Sequence, residues 1–401
     1  MKIDRVSTYI IGNPWKNWVI VRVDTDEGIS GLGEATSMVC ASVAEEVKEI
    51  ARFAVGMDPR EPLRVADALH KGVFLSMKPA TCAIEIACWD ILGKSLGAPL
   101  WRLLGGRVQR RLRAYANGWY TCPREPAAFG ERAAEVVAMG YTALKFDPFG
   151  TAYLELDRSE EKLSLAIVSA VRDAVGDEVD LLIEGHDRFS THTAIRLGRA
   201  LAEFRPMWFE TPVYSANIAA TVEVARRIPV PVATGERFAN LSEFAAVLES
   251  GAVSIVQPEP LRCGGISGVM RVAAVAHAHE AMVACHQAQS PLNTAVNTHL
   301  HSAMPNYLMH ECFDDFLVPW WRDVFGGVPR VVNGYLEPSD APGLGVEFDE
   351  KEAAKHPYGE DKMIRLFQSG WERRGFDSTD ARPTRSTGSG RAPSEVEGRE
   401  R

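Results

Sequence analysis

Hydrophobic and polar positions change their period partway along this chain. In NWVIVRVDTDEGISGLGEA, Val19, Val21 and Val23 alternate with Ile20, Arg22 and Asp24, the two-residue period of a strand, and a turn at Asp26 to Gly28 leads to a second short strand before Glu34. Helical spacing follows in SVAEEVKEIARFAVG and in CAIEIACWDILGKSLG, where Ile84, Ala87, Cys88 and Ile91 share a face and Gly97 supplies a C-terminal stop. Residues 1–112 thus read as an α+β unit. From about Arg113 short apolar runs alternate with helical segments such as NIAATVEVARRI and NLSEFAAVLESG. The apolar runs end near Asn117, Asp147, His186, Glu210, Glu236, Glu259, His286 and Glu311, and the steps from Glu184 through Glu210, Glu236, Glu259 and His286 to Glu311 are 26, 26, 23, 27 and 25 residues. Each step holds one strand and one crossover helix, as parallel strands require. The predicted fold class is α/β, a (β/α)₈ TIM barrel over residues 113–325 with an N-terminal α+β capping domain, and its functional groups belong at the carboxyl ends of the strands. Residues 326–376 are turn-rich and expected to pack back on the cap, and residues 377–401 carry so few apolar side chains that a disordered tail is expected.

Composition narrows the function more than the fold. The 401 residues, 46% hydrophobic and 24% charged, suffice for a barrel and a smaller domain. A net charge of −9 argues against a nucleic-acid partner, which needs a basic surface, but leaves an acidic substrate open where local cations decide. Seven cysteines without a CxxC pair read as reduced thiols. The opening MKIDRVSTYI is charged where a signal peptide is apolar, and no run reaches the roughly 18–20 apolar residues of a membrane helix. The expectation is a cytoplasmic protein with no membrane partner.

The strand ends carry the chemistry. Glu184, Glu210 and Glu236 end three consecutive strands, so their carboxylates should converge, and three anions need a counter-charge in a low-dielectric pocket. A hard divalent cation supplies it, and an all-oxygen ligand set suits Mg²⁺, one per subunit. The competing reading is that these glutamates are solvated or paired with Arg188 and Arg237. His186 lies two residues past Glu184 and is expected to face the same cavity, as Asp147 shares a face with Lys145. Across the barrel, Glu259 can hold His286 in one tautomer, making His286 the leading general base. Trp119, Tyr120, Trp320 and Trp321 are candidate pocket linings, although aromatics near loop ends are more often core. Cys285 and Cys312 alternate away from the cavity, which argues against a cysteine nucleophile.

The order Lys145, Glu184, Glu210, Glu236, Glu259, His286, Glu311, with CWDILGKSLGAPLWRLLGG in the cap, resembles the enolase superfamily in its mandelate racemase-like branch, over roughly residues 1–375. Within that branch YANGWY and GYTALKFDPFG resemble the sugar-acid dehydratases of the gluconate dehydratase type. The resemblance implies metal ligands at Glu184, Glu210 and Glu236, catalytic roles for His286, Lys145, His186, Glu259 and Asp147, and substrate contacts from Glu311, Arg237 and Trp320. It also implies an acid-sugar substrate and a homo-oligomer, a dimer or an octamer. The family's Lys-x-Lys motif stands here as Lys145-Phe146-Asp147, which argues against a two-base racemase, and Glu259 replaces the usual aspartate. The implied reaction removes the proton α to a carboxylate and eliminates the 3-hydroxyl, with His186 or His286 protonating the leaving group, to give a 2-keto-3-deoxy acid. An epimerase or cycloisomerase on the same fold, and a non-catalytic metal-binding barrel, are the alternatives.

Overall fold

The computed structural model describes residues 1–73 and 78–373, so the expected tail at 377–401 lies outside the described residues. The chain opens with an antiparallel sheet in the order β1 (Ile3–Ile11), β2 (Trp18–Thr25), β3 (Ser30–Glu34). The charges in MKIDRVSTYI that mask a strand are those of its outer positions. Two helices, α1 (Cys40–Ala51) and α3 (Lys78–Ser95), pack on this sheet, and α2 (Pro62–Val73) packs against them. Helix α1 stops at Ala51 and turns take over up to Gly56, whose φ of 85° no helix accommodates. β3 lies against α3 because it has no side chains to hold it off: a Cβ on Gly33 would sit 1.9 Å from the Ala83 carbonyl oxygen. Buried Asp90 on α3 then joins three elements, accepting from Leu32 N (3.0 Å), Lys94 Nζ (2.7 Å) and Leu344 N (2.8 Å).

After the short α4 (Leu100–Leu103), eight parallel strands follow: β4 (Leu112–Ala116), β5 (Ala143–Phe146), β6 (Asp180–Glu184), β7 (Trp208–Glu210), β8 (Val232–Thr234), β9 (Ile255–Val256), β10 (Met282–Val283) and β11 (His310–Cys312). Between them run α5 (Pro126–Ala138), α6 (Arg158–Val175), α7 (Thr191–Leu201), α8 (Ile218–Arg227), α9 (Leu241–Glu249), α10 (Gly265–Ala278) and α11 (Pro291–Ala303). The strands pair in chain order from β4 to β10, β11 returns to β4, and a parallel bridge between Val283 and Tyr307 joins β10 to the segment entering β11. The ring is closed, as the repeat predicts.

One apolar residue from each strand fills the barrel: Tyr115, Ala143, Leu182, Trp208, Ala233, Ile255, Ala284 and Met309 form a cluster of their own. Their sequence neighbours, such as Leu144, Ile183, Phe209 and Val256, belong to the outer core against the helices. Alternation places the next inward residue two positions on, and there the chain turns polar: Asn117, Lys145, Glu184, Glu210, Gln257, His286 and Glu311. Strand β8 alone departs from this count. The position two after Ala233 is Gly235, and its φ of 127° brings in Glu236 instead.

Cap and barrel are bolted together by buried acids. Glu85 of α3 accepts from Ile266 N (2.9 Å) and Ser267 N (3.0 Å), meeting unpaired amides at the start of α10. Glu34, ending β3, accepts from the N–H (2.9 Å) and hydroxyl (2.6 Å) of Ser290, the residue that caps α11. The segment after the barrel returns to the cap: His356 O accepts from Gly12 N at 2.8 Å, and the Asn17 side-chain amide donates to Gly359 O and Lys362 O.

Gly235 allows a direct check on the alternation. A Cβ there would meet Phe244 at 2.7 Å as well as adopting a φ that L-residues avoid. Gly235→Ala is therefore expected to cost roughly 1–3 kcal/mol and to lower the thermal unfolding midpoint, whereas Gly176→Ala, with φ 71° but open space around it, should cost less.

Candidate active site

At the carboxyl ends of the strands, one oxygen from each of Glu184, Glu210 and Glu236 lies within 4.8 Å of the others. All-oxygen donors at this mutual distance suit a hard divalent cation. Lys145 reaches up beneath them, its Nζ 2.5 Å from Glu210, 2.8 Å from Glu311 and 3.2 Å from Glu184. Burial pushes the Glu184 carboxyl up, and burial together with Glu184 raises Glu210 to about 7. Burial also disfavours charge on Lys145, but Glu210 and Glu311 outweigh it and hold the ammonium well above its usual range. Glu236 behaves differently: burial opposes its ionisation, yet His286, Arg237 and Lys145 keep it well below the usual carboxyl range.

Two imidazoles flank the triad, each gripped by a buried carboxylate from the neighbouring strand. On the β9–β10 side His286 Nδ1 lies 2.6 Å from Glu259 Oε2, which leaves Nε2 facing inward, 3.2 Å from Glu236. On the β5–β6 side His186 Nδ1 lies 2.6 Å from Asp147 Oδ2. The two pairs differ in their surroundings. Burial opposes charge on His286, but Glu236 and the Glu259 hydrogen bond raise it to about 9. Asp147 is also ion-paired to the fully buried Arg188, so its charge is already met, and burial lowers His186 to about 3.

His186 reaches the cavity by a route the alternation did not anticipate. Strand β6 ends at Glu184, and His186 and Asp187 have φ of 52° and 61°. The Glu184 carboxylate accepts from His186 N at 2.7 Å, which pins this turn to the triad. Asp187, raised to about 6 chiefly by burial, faces Arg237, whose Nε lies 3.0 Å from Asp187 and 3.2 Å from Glu236.

Several expected contacts lie elsewhere. Asp147 does not line the cavity; its second oxygen accepts from Phe149 N (2.8 Å), so its place is behind His186. Glu311, expected as a substrate contact, is fully buried and taken up by Lys145, Asn117 Nδ2 (2.7 Å) and Gln287 N (2.7 Å), which puts it beneath the cavity and not in its lining. Trp320, expected as a substrate contact, stacks on His356 with ring centroids 3.5 Å apart and borders Trp18, because the C-terminal segment draws it to the cap. Of the other aromatics Tyr120 lines the cavity, whereas Trp119 donates to Lys145 O and Trp321 to Asp314 O within the core. All seven cysteines are free, and Cys285 and Cys312 are buried in the outer core.

The remaining walls come from parts of the chain without a repeating pattern. Trp15, Lys16 and Met38 descend from cap loops, Arg262 and Gln289 rise from the loops after β9 and β10, and Ile364, Leu366 and Trp371 close the cavity from the C-terminal segment. Only the charge on Lys16 marked its loop in the sequence, since aromatic and aliphatic residues in loops look the same whether they line a cavity or a core.

The sequence and the architecture have parallels among known proteins. Residues 11–105 match the mandelate racemase / muconate lactonizing enzyme N-terminal domain, and residues 128–352 match the enolase C-terminal domain-like family. The chain is 36% identical to the D-gluconate/D-galactonate dehydratase of Picrophilus torridus, over 87% of this chain and 92% of that protein. It is also 36% identical to the D-gluconate dehydratase of Thermoproteus tenax, over 85% and 70% of the two chains. Among solved structures, a mandelate racemase/muconate lactonizing enzyme from a Sulfitobacter species superposes with a TM-score of 0.86 at 34% identity, covering 92% of this chain and 98% of its own. With both halves matched and a ring of strand-end carboxylates in place, this chain belongs to the enolase superfamily, in its mandelate racemase/muconate lactonizing enzyme branch.

Proposed function

We propose that the protein is a Mg²⁺-dependent sugar-acid dehydratase that removes the proton α to a carboxylate and eliminates the 3-hydroxyl, giving a 2-keto-3-deoxy acid. The observation that carries this reading is the acidic triad set between two carboxylate-held imidazoles. The names of the relatives point the same way.

Glu184, Glu210 and Glu236 would hold the cation, which supplies positive charge against the substrate carboxylate as the α-proton leaves. His286 takes the C2 proton on Nε2: Glu259 occupies Nδ1 and fixes the ring, and a cation held by Glu236 would offset the carboxylate that most raises this ring, leaving Nε2 able to accept. Lys145, set by Glu311 and Glu210, offers its ammonium to the substrate oxygen on which charge develops, and being preorganised it need not rearrange when the reaction occurs. We assign to His186, on the opposite flank, the protonation of the departing hydroxyl; burial holds this ring neutral in the empty site, so it must take up that proton as the anionic substrate binds. Asp147 holds Nδ1 of that ring and is a positioning residue, as Glu259 is for His286. Where the family places a second lysine, this chain places Asp147, and the group it equips lies on the next strand.

Two experiments test this. Chelation should abolish ketoacid formation from a panel of aldonic and aldaric acids, and Mg²⁺ should restore it. Glu210→Gln should weaken Mg²⁺ binding in calorimetry by more than the ~10–100-fold typical of losing an outer-shell partner, whereas unaltered binding would remove the triad from the mechanism. In D₂O, His286→Asn should lose both C2 hydrogen exchange and turnover by ~10²–10⁴-fold, with little change in KM. His186→Asn should lose ketoacid formation yet keep exchanging the C2 hydrogen. The inverse pattern would swap the two roles, and an epimer formed without ketoacid would overturn dehydration.

A further inference from the structure

Among the described residues four side-chain cations other than histidine line the cavity, and two of them are in a salt bridge with a carboxylate. Lys145 is paired with Glu184, Glu210 and Glu311, and Arg237 with Asp187 and Glu236. Lys16, on the loop between β1 and β2, is 5% exposed, and its Nζ donates to a neutral acceptor, Gln289 Oε1, at 2.6 Å. The buried acids Glu34 and Glu259 are near enough to raise Lys16 but not to outweigh burial, neither forms a salt bridge with it among the described residues, and Glu34, its oxygens occupied by Ser290 and Thr36, is itself pushed up to about 7. Arg262, after β9, has no carboxylate within salt-bridge distance among the described residues, and its charge adds to the burial that lowers Lys16 to about 8.

Two like charges turned into one cavity, neither in a salt bridge with a carboxylate among the described residues and Lys16 disfavoured by burial, leave a cost that a ligand anion can relieve. A mono-acid cannot do so, since its carboxylate belongs at the triad and Lys145. Resting on the dehydratase reading, we propose that the substrate is a sugar acid with a second anionic group at its far end, a terminal carboxylate or a phosphate ester, ion-paired to Lys16 and Arg262. This separates the chain from the mono-acids in its relatives' names. The arrangement also couples recognition to the base: Gln289 accepts from Lys16 and donates through Nε2 to Glu259 (3.3 Å), which holds His286.

The test uses the full chain with Mg²⁺ and compares each aldonic acid with the matching aldaric di-acid and 6-phosphoaldonate. One dianionic series should exceed its mono-acid in kcat/KM by about tenfold or more, the equivalent of one ion pair, and the series that does so identifies the terminal group. Lys16→Met and Arg262→Met should each cut that ratio about tenfold, mainly through KM, and Lys16→Arg should restore part of it. Calorimetry of the di-acid with the Mg²⁺-loaded protein gives a readout independent of turnover. A wild-type preference for mono-acids, or a ratio unchanged in both variants, overturns the second-anion subsite while leaving dehydration standing. Turnover of no acid, with di-acid binding that weakens in the variants, overturns dehydration while the subsite stands.

Discussion

Everything in this molecule rests on the two-residue alternation of side chains in eight short parallel strands. One turn of that alternation fills the barrel with Tyr115, Trp208, Met309 and their counterparts, and the next sets a polar layer on top of them. The apolar ring is the floor of the site in a physical sense. It keeps water out from below, so that the charges above meet one another in a low dielectric, and this is why Lys145, Glu184 and Glu210 are shifted so strongly. Trp208 joins the two layers, its indole N–H donating to Glu210 at 2.9 Å.

The two imidazole pairs show how one motif gives two chemical states. Both rings have Nδ1 against a carboxylate at 2.6 Å. What separates them most is a third carboxylate: Glu236 lies 3.2 Å from Nε2 of His286 and is the largest influence raising that ring, whereas at His186 burial prevails over it. The acids behind the rings differ as well, since Asp147 is ion-paired to Arg188 while Glu259 accepts from Gln289, Asn293 and Leu261 N.

How much of this could be read beforehand follows the same division. The βα period, the barrel and the convergence of Glu184, Glu210 and Glu236 were legible because alternation and crossover length are local rules. The position of Glu236 came out right although alternation from Ala233 points to Gly235; spacing located the residue, and a positive-φ glycine turned it inward. Asp147 and Glu311 were placed on the correct strands but one layer too close to the substrate, since a strand pattern gives a side chain's face and not its depth. The cap loops around Asn13 to Trp18 and Ser37 to Ala41 were expected to choose the substrate, and Trp15, Lys16 and Met38 from them do line the cavity; Trp320 was misplaced, and Arg262 and Trp371 were missed, because loops and the C-terminal segment follow no period.

Those loops have a consequence of their own. The cavity takes Lys16 from the start of the polypeptide and Trp371 from near the end of the described chain, with the whole barrel synthesised in between. During translation the cap emerges first, yet a complete pocket cannot exist until the last of these residues has cleared the ribosome. The nascent protein would therefore carry a finished acidic triad, with its wall toward the C-terminal segment still missing, for the interval needed to make the remaining residues.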